Sequence, residues 1–273
     1  MQKKVSAAIV TYRGYDKARS AVDSLLSHTK GVQLALYIID NASGDDTASR
    51  LASEFESVTV IEQARNGGFA SGHNAVIPLL TSDYHAVINP DIVIDTDVLS
   101  ELAEYMDSHD DVGLVTPKIL NNDGSDQMLP KRDPTFAALV GRRVFKKALK
   151  KEVAFYQMQD KDLSVEQDIE FATGCFFLIR TCLFRQLSGF DTRFFIYYED
   201  MDITRRARGS MRAVYYPSSY VYHAWERSSA HSLRYFLILV AGMFKYFRKW
   251  GFRLSYPAHV KENIEVNGRK ESL

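Results

Sequence analysis

Short apolar, β-branched runs alternate with helically spaced stretches through the first ninety residues. Val5 to Thr11 predicts a buried strand. Asp16 to His28 follows, with Ala18, Val22, Leu25 and Leu26 at the spacing of one helix face. Leu34 to Ile39 predicts a second strand, ending at Asp40-Asn41-Ala42-Ser43-Gly44, after which Asp45 or Asp46 caps a helix to about Phe55. Val58 to Glu62 predicts a third strand, and a glycine-rich stretch leads into a helix around Asn74 to Leu80. Tyr84 to Ile88 predicts a fourth strand, ending at Asn89-Pro90-Asp91. Alternation of this kind implies βαβ units and a parallel, doubly wound sheet. Ligands of such sheets sit beyond the carboxyl ends of the strands. The polar clusters Thr11-Tyr12-Arg13, Asp40-Asn41 and Asn89-Pro90-Asp91 fall on those ends, so the first half reads as a ligand-binding sheet.

The pattern changes after Asp111. Val112 to Pro117 predicts another strand, followed by the turn-rich Asn121-Asn122-Asp123-Gly124. Arg142 to Lys151 holds six basic residues and no acid, and reads as a mobile or surface-bound segment. Phe171 to Ile179 is a strand-like apolar run, then come Gly189-Phe190-Asp191, Phe194 to Asp202, a short helix through Arg208, and a strand near Ala213 to Tyr216. Arg234 to Arg253 has five basic residues and no acid among seven aromatics. Such a stretch reads either as a helix lying on a membrane surface or as a terminal helix packed through its apolar face. Its longest apolar run, Tyr235 to Phe244, is half of the roughly 20 residues a spanning helix needs. The expected organisation is a body over 1–228, with halves 1–117 and 118–228, and an amphipathic extension over 229–273.

Composition narrows the class of function. A chain of 273 residues, 46% hydrophobic and 25% charged, can bury a full core. Its formal charge of zero removes the bulk electrostatic case for nucleic-acid binding. Cys175 and Cys182 match no zinc or disulfide framework and fit a reducing compartment. The start runs directly into a strand and leaves no room for a signal peptide, so a cytoplasmic protein, at most lying on a membrane, is expected.

Several residues are candidates for chemistry. A strand-end carboxylate at Asp91, with the oxygen of Asn89 two residues earlier, can hold a hard divalent ion against phosphate oxygens. A turn or helix cap is the plainer alternative. Asp40 can accept from a base N–H or a ribose hydroxyl, or instead form an Asx-turn. Asn66-Gly67-Gly68-Phe69-Ala70-Ser71-Gly72 allows close backbone approach to a ligand. It follows the third strand rather than the first and lacks the dinucleotide fingerprint, which disfavours a Rossmann oxidoreductase. Tyr197-Tyr198-Glu199-Asp200-Met201-Asp202 places three carboxylates among aromatics, an environment that raises a carboxyl pKa and suits proton abstraction. The same acids also fit a helix start paired with Arg205 and Arg206. His223 follows a strand and completes a metal site only if the fold brings it to Asp91.

In this order the motifs resemble the inverting family 2 glycosyltransferases with the A-type (GT-A) fold, over about residues 5 to 250. The resemblance rests on Ile9-Val10-Thr11-Tyr12, Ile39-Asp40-Asn41-Ala42-Ser43, the stretch from Asn66 to Asn74, Asn89-Pro90-Asp91, Gly174 to Arg180, and Phe194 to Asp202. Asn-Pro-Asp followed by Gly-Phe-Asp and Tyr-x-Glu-Asp-x-Asp is most similar to the bacterial rhamnosyltransferase branch, which builds surface polysaccharides on lipid-linked acceptors. The resemblance implies an α/β fold with a mainly parallel central sheet flanked by helices, and a basic amphipathic helical tail. It implies that Thr11, Tyr12, Arg13 and Asp40 hold the nucleotide, with Asp40 on the base, and that Asn66, Gly67, Gly68 and Asn74 line the diphosphate and sugar pocket. Asp91 with Asn89 stands at the family's Asp-x-Asp motif, one acid short, and His223 matches a second metal ligand, for Mn2+ or Mg2+. Asp200 matches the catalytic base, with Glu199 as its neighbour and with Gly174 and Asp202 toward the acceptor. The implied partners are a nucleotide-sugar donor, with dTDP-rhamnose favoured over a UDP-hexose, a lipid-linked saccharide at the inner membrane face, and a possible second copy in a homodimer. A nucleotidyltransferase and a non-catalytic glycan-binding protein are the rival readings. The first fits poorly with Tyr12-Arg13-Gly14-Tyr15 after strand one, the second with the intact acidic motifs.

Overall fold

The computed structural model describes residues 2–224, 232–261 and 264. The expected boundary at 228 and the end of the tail lie outside them. The first half folds as the alternation predicts. Strands β1 (Lys4–Thr11), β2 (Gln33–Asp40), β3 (Thr59–Glu62) and β4 (Tyr84–Ile88) lie in the order β3-β2-β1-β4, all parallel. The intervening helices are α1 (Tyr15–His28), α2 (Thr47–Glu54) and α3 (Gly68–Asn74). Thr11 pairs with Asp40 in register across β1 and β2, so two of the polar strand ends are neighbours.

One boundary differs from expectation. The helix expected at Asn74 begins at Gly68, inside the glycine-rich stretch, and a separate 3-10 turn covers Ile77–Leu79. Gly68 has φ +80, and a Cβ there would lie 2.0 Å from the Phe195 carbonyl oxygen. Glycine is thus required by contact with the segment that precedes Glu199, as well as by conformation.

The second half completes a nine-stranded mixed sheet rather than extending the parallel one. β5 (Ile92–Val93), β6 (Val112–Leu120), β7 (Gln167–Asp168), β8 (Phe176–Arg180) and β9 (Arg212–His223) join in the order β4-β8-β6-β9-β5, with β7 also on β9. β8 runs antiparallel to both β4 and β6, whereas β6 and β9 are parallel. β8 is shorter than its apolar run, because Phe171 and Ala172 are buried outside the sheet. α4 (Val98–Asp107), capped by the Asp97 side chain on the Ser100 amide, covers one face.

α5 (Phe136–Gly141) and α6 (Lys150–Tyr156) flank the basic segment, whose Val144 and Phe145 are exposed. α7 (Thr181–Gln186) follows β8, and α8 (Glu199–Ala207) carries the acidic motif. The last helix, α9 (Leu233–Trp250), is packed on the body through one side. Tyr246 and Phe247 join Phe171, Phe194, Tyr198 and Met201 in an apolar cluster. Gly242 allows this approach, since a Cβ there would lie 2.8 Å from the Tyr198 ring. On the opposite side of the helix Leu233, Leu237 and Phe244 stay 74%, 58% and 64% exposed. The packed-helix reading of this stretch describes the first face, and the second is an exposed apolar stripe. Among the described residues no helix is long and apolar enough to cross a membrane.

Candidate active site

The site is built at the carboxyl ends of β1, β2 and β4, from loops that brace one another. The Ser43 amide donates to Asp40 Oδ2 at 2.9 Å, and its hydroxyl donates to Asp40 Oδ1. Both Asp40 oxygens thus serve the turn, the plainer of the two alternatives for this residue. Ser43 also receives the Arg13 amide at 2.8 Å, and its carbonyl accepts from Arg13 Nε at 3.0 Å, which clamps the β1 and β2 loops together. Tyr12 is left exposed with Arg13 beside its ring, an aromatic face open to a planar base. Thr11 Oγ1 and Asn41 Oδ1 are buried without a protein partner.

The glycine-rich stretch is pinned from both sides. Asn41 Nδ2 donates to the Gly68 carbonyl at 3.0 Å, and the Phe69 amide donates to the Phe195 carbonyl at 2.8 Å. Asn66 Oδ1 accepts from the Gly68 amide, and Gly67 abuts Ser71. Asn74 bonds both backbone groups of Phe190 at 2.8 Å, so its side chain is committed to holding that turn.

Asp91 and His223, 132 positions apart in the chain, meet through β5 and β9. A register shift between Pro117 and Lys118 of β6 loops out Pro217, Ser218 and Ser219 of β9, after which Tyr220 to Tyr222 resume pairing. That bulge carries the strand on until His223 lies opposite Ile92, with His223 Nε2 3.4 Å from Asp91 Oδ1. Burial pushes the Asp91 carboxyl up, but the facing His223 ring outweighs burial and holds the group below its ordinary value whenever that ring is protonated.

These two residues fit a divalent cation. Asp91 Oδ1 is buried and lacks a well-aligned hydrogen-bond donor. Its separation from Nε2 is close to the roughly 3 Å between adjacent ligands held about 2.1 Å from one ion. Among the described residues no cluster of three or more His, Cys, Asp or Glu side chains forms. A cation held by this pair would have to take its remaining ligands from phosphate oxygens and water.

The acidic motif sits one short segment away. Tyr197 and Tyr198 both have positive φ, +72 and +71, a conformation that costs on the order of 1 kcal/mol for each non-glycine residue. The packing of α9 on Tyr198 holds that turn and sets the start of α8. Asp200 Oδ2 accepts from the Gly174 amide at 3.0 Å, and Oδ1 from the Met201 amide at 2.8 Å. The next carbonyl, Cys175, accepts from the Asn89 amide at 2.8 Å. Gly174-Cys175 thus ties the Asn89-Pro90-Asp91 strand end to Asp200 across two residues. A Cβ on Gly174 would lie 3.1 Å from Asp200 Cβ, so glycine lets the acid sit this close.

Burial raises the Asp200 carboxyl above its ordinary value, against the two amide donors and Lys131. Glu199 is raised further, first by burial and then by the charge of Asp200, and its Oε2 has no partner. Two adjacent acids, one buried and one half-buried, cannot both ionise cheaply. The negative charge belongs on Asp200, which has the donors, and the proton on Glu199.

Asp202 departs from expectation. It is fully buried and accepts from Arg206 Nε and Trp250 Nε1, each at 2.8 Å, while Lys249 pairs with the same carboxylate. Its oxygens are spent on fastening α9 to α8, which leaves no surface for an acceptor. Sequence reading missed Lys131, which is buried over the Phe171 ring. Burial and then the charge of Arg142 push its ammonium down to about 7, against the pull of Asp200. Nothing in Leu129-Pro130-Lys131-Arg132 distinguishes that lysine from a surface one. Gln127, which bonds His223, was equally silent.

Comparison with known proteins places the fold that carries this site. Residues 6–188 match the family described as Glycosyl transferase family 2. The chain belongs to that family, and it is a glycosyltransferase. It is 24% identical over 211 residues to an N-acetylglucosaminyl-diphospho-decaprenol L-rhamnosyltransferase of Mycobacterium tuberculosis, covering 70% of this chain and 66% of that one. It is also 24% identical over 213 residues to the low-salt glycan biosynthesis hexosyltransferase Agl10 of Haloferax volcanii, covering 76% of this chain and 62% of that one. The matches thus span slightly less than two thirds of these relatives' own lengths. Among solved structures the chain is similar to the mannosyltransferase PcManGT from Pyrobaculum calidifontis in complex with GDP-Man and Mn2+, with TM-score 0.62 and 17% identity, covering 92% of this chain and 64% of that one. It is also similar to GalNAc-T7 with UDP, GalNAc and Mn2+, with TM-score 0.65 and 13% identity, covering 91% and 50%. These likenesses bear out the GT-A fold of this glycosyltransferase.

Proposed function

We propose that this glycosyltransferase moves rhamnose from dTDP-rhamnose onto a lipid-linked saccharide with inversion, in bacterial surface-polysaccharide synthesis. The observation that supports the reading is the Gly174-Cys175 bridge, which ties the strand end preceding Asp91 to the Asp200 carboxylate through two hydrogen bonds. The mycobacterial relative's name supports the sugar and the class of acceptor.

Tyr12 and Arg13 take the nucleotide, above Thr11 Oγ1 and Asn41 Oδ1, which are buried without a protein partner. Asp91 and His223 would hold a divalent cation, which when bound offsets charge on the departing diphosphate. Asp200, kept ionised by its two amide donors, removes the acceptor hydroxyl proton as that oxygen attacks the anomeric carbon. The bond from that carbon to the diphosphate oxygen breaks on the opposite face, so configuration inverts in a single displacement. Protonated Glu199 keeps a second negative charge away from the entering oxygen.

The exposed Leu233, Leu237 and Phe244 stripe of α9, flanked by Arg234 and Arg248, supports docking on an anionic membrane surface where such acceptors reside. Calorimetric titration with dTDP-rhamnose and with UDP-sugars, with and without Mn2+, tests the donor. Metal-assisted binding of dTDP-rhamnose is expected. Binding of a UDP-hexose instead would fit the Haloferax relative's description and overturn the rhamnosyl assignment while keeping the mechanism. Binding of neither would overturn both.

A further inference from the structure

The turn Asn121-Asn122-Asp123-Gly124 reverses the chain after β6 and returns Gln127, only 7% exposed, against the end of β9. The Gln127 side chain engages His223 twice. Its Nε2 donates to the His223 carbonyl at 2.7 Å and to Asn121 Oδ1 at 3.0 Å. The opposite amide orientation would aim a carbonyl oxygen at two oxygen acceptors, so this arrangement fixes which end is nitrogen. Oε1 therefore lies 3.1 Å from His223 Nδ1. An amide oxygen only accepts, so Nδ1 carries the proton. In a neutral imidazole the other nitrogen is then a bare lone pair, and it faces Asp91 Oδ1 at 3.4 Å. Two lone pairs directed at each other repel unless a proton, as in the imidazolium, or a metal cation lies between them.

We infer that Gln127 is a positioning residue that fixes the Nδ1–H tautomer and the ring orientation of His223, so that Nε2 is presented to a divalent cation shared with Asp91. The inference rests on the metal role proposed above. Gln127 touches no reacting atom and acts through His223 alone, as partners of metal-bound histidines do. Its own place is secured by Asn121, whose Nδ2 donates to Ser125 Oγ at 2.8 Å and so keeps Oδ1 turned toward Gln127. The tautomer is thus set by a chain of three polar side chains that begins in an exposed turn.

Substitution separates positioning from folding. Gln127→Leu removes the acceptor for Nδ1–H, whereas Gln127→Glu retains an acceptor there. Mn2+ binding is followed by loss of the free-ion electron paramagnetic resonance signal in the presence of dTDP and, separately, UDP. The leucine variant is expected to bind Mn2+ about 10- to 100-fold more weakly, and the glutamate variant to regain part of that loss, its second oxygen being set against the His223 carbonyl and Asn121 Oδ1. The metal concentration for half-maximal transfer should rise by the same factor, with kcat recovered at saturating Mn2+, a rescue that a folding defect does not allow. Equal Mn2+ affinity in wild type and Gln127→Leu overturns the inference while leaving the metal site standing. A wild type that binds no Mn2+ with either nucleotide overturns the metal reading and the inference with it. Should the leucine variant not fold, 15N resonances of the wild-type His223 ring decide, identified by their loss in His223→Gln and read at alkaline pH with Mg2+ and nucleotide. A proton on Nδ1 is expected, and a proton on Nε2 overturns the inference.

Discussion

Asp200→Asn tests the assignment of the base, and the structure indicates how large its effects should be. A positioned general base contributes roughly 10²- to 10⁴-fold, or about 3 to 5.5 kcal/mol of barrier. The variant also loses one acceptor, because an amide has a single oxygen where the carboxylate serves the amides of Gly174 and Met201. One of those N–H groups then faces an NH2 group, at a cost of about 1–3 kcal/mol in stability. An opposing effect comes from the raised Asp200 pKa. A carboxyl raised on folding stabilises fully below its unfolded value of 3.8 and loses that contribution as pH rises through the folded value. At neutral pH the wild type has lost it, and the variant carries no such group. The two effects offset one another, so the variant should remain folded near neutrality, and its deficit relative to wild type should grow on acidification.

The assay is transfer to an N-acetylglucosaminyl-diphospholipid, with donor affinity measured separately by calorimetry. The expected result is a loss of at least 10²-fold in kcat/KM with donor affinity within a few-fold. The wild-type kcat/KM should fall as pH drops through an acid limb lying above the ordinary aspartate range. A variant turning over within tenfold of wild type at neutral pH refutes the base assignment, whatever its stability.

Three further outcomes follow from the same geometry. Glu199→Gln keeps the neutral form of that residue, so transfer should persist within about tenfold. Its stability should exceed wild type increasingly as pH rises above 4.5, because the raised Glu199 group loses its contribution there; parallel urea titrations across pH would refute this. Gly68→Ala forces a Cβ to 2.0 Å from the Phe195 carbonyl at φ +80, and should destabilise by about 2–3 kcal/mol; a change below about 0.5 kcal/mol refutes the close approach. Leu237→Asp combined with Phe244→Asp should abolish sedimentation with anionic vesicles while leaving Tm unchanged, and undiminished sedimentation refutes α9 as the docking element. Removing the chain from Arg234 onward would be a poorer test, since it also strips Tyr246, Phe247 and Trp250 from the cluster behind Tyr198.

How much was legible in the sequence follows from how local each determinant is. The first four strands are declared by β-branched runs, and their shared direction by the spacing that forces crossovers. Candidate ligand groups at strand ends follow from that direction, which is why Thr11, Asp40 and Asp91 were identified without contacts. The antiparallel insertion of β8 between β4 and β6 was not legible, because an apolar run states burial but not the direction of its partner. The start of α3 at Gly68 was missed for a related reason. Glycine weakens helix propensity, and what requires it there is the Phe195 carbonyl, more than a hundred residues later.

The site divides along the same line. Asp200 and Glu199 were visible because three acids among aromatics are locally unusual, yet their division of labour depends on which of them receives amide donors, and Gly174 supplies one from another element. Asp202 looked equivalent to its neighbours at the level of sequence. One helical turn reverses that, since i, i+4 spacing aims it at Arg206, and α9 brings Lys249 and Trp250 onto the same carboxylate. The amphipathic extension is thus part of what holds α8, and through Gly242 and Tyr198 it supports the strained turn that presents Asp200. On the proposed reading, membrane docking would use the face of α9 opposite the one that packs behind Tyr198. A bilayer engaging the Leu233, Leu237 and Phe244 stripe would hold α9 against the body from outside, while Tyr246 and Gly242 transmit that constraint to Tyr198. Release from the membrane should therefore loosen the Asp200 turn before it loosens the parallel half of the sheet. Amide exchange at Glu199 to Asp202, compared with Ile38 to Asp40, measures this directly, and equal protection with and without vesicles refutes the coupling.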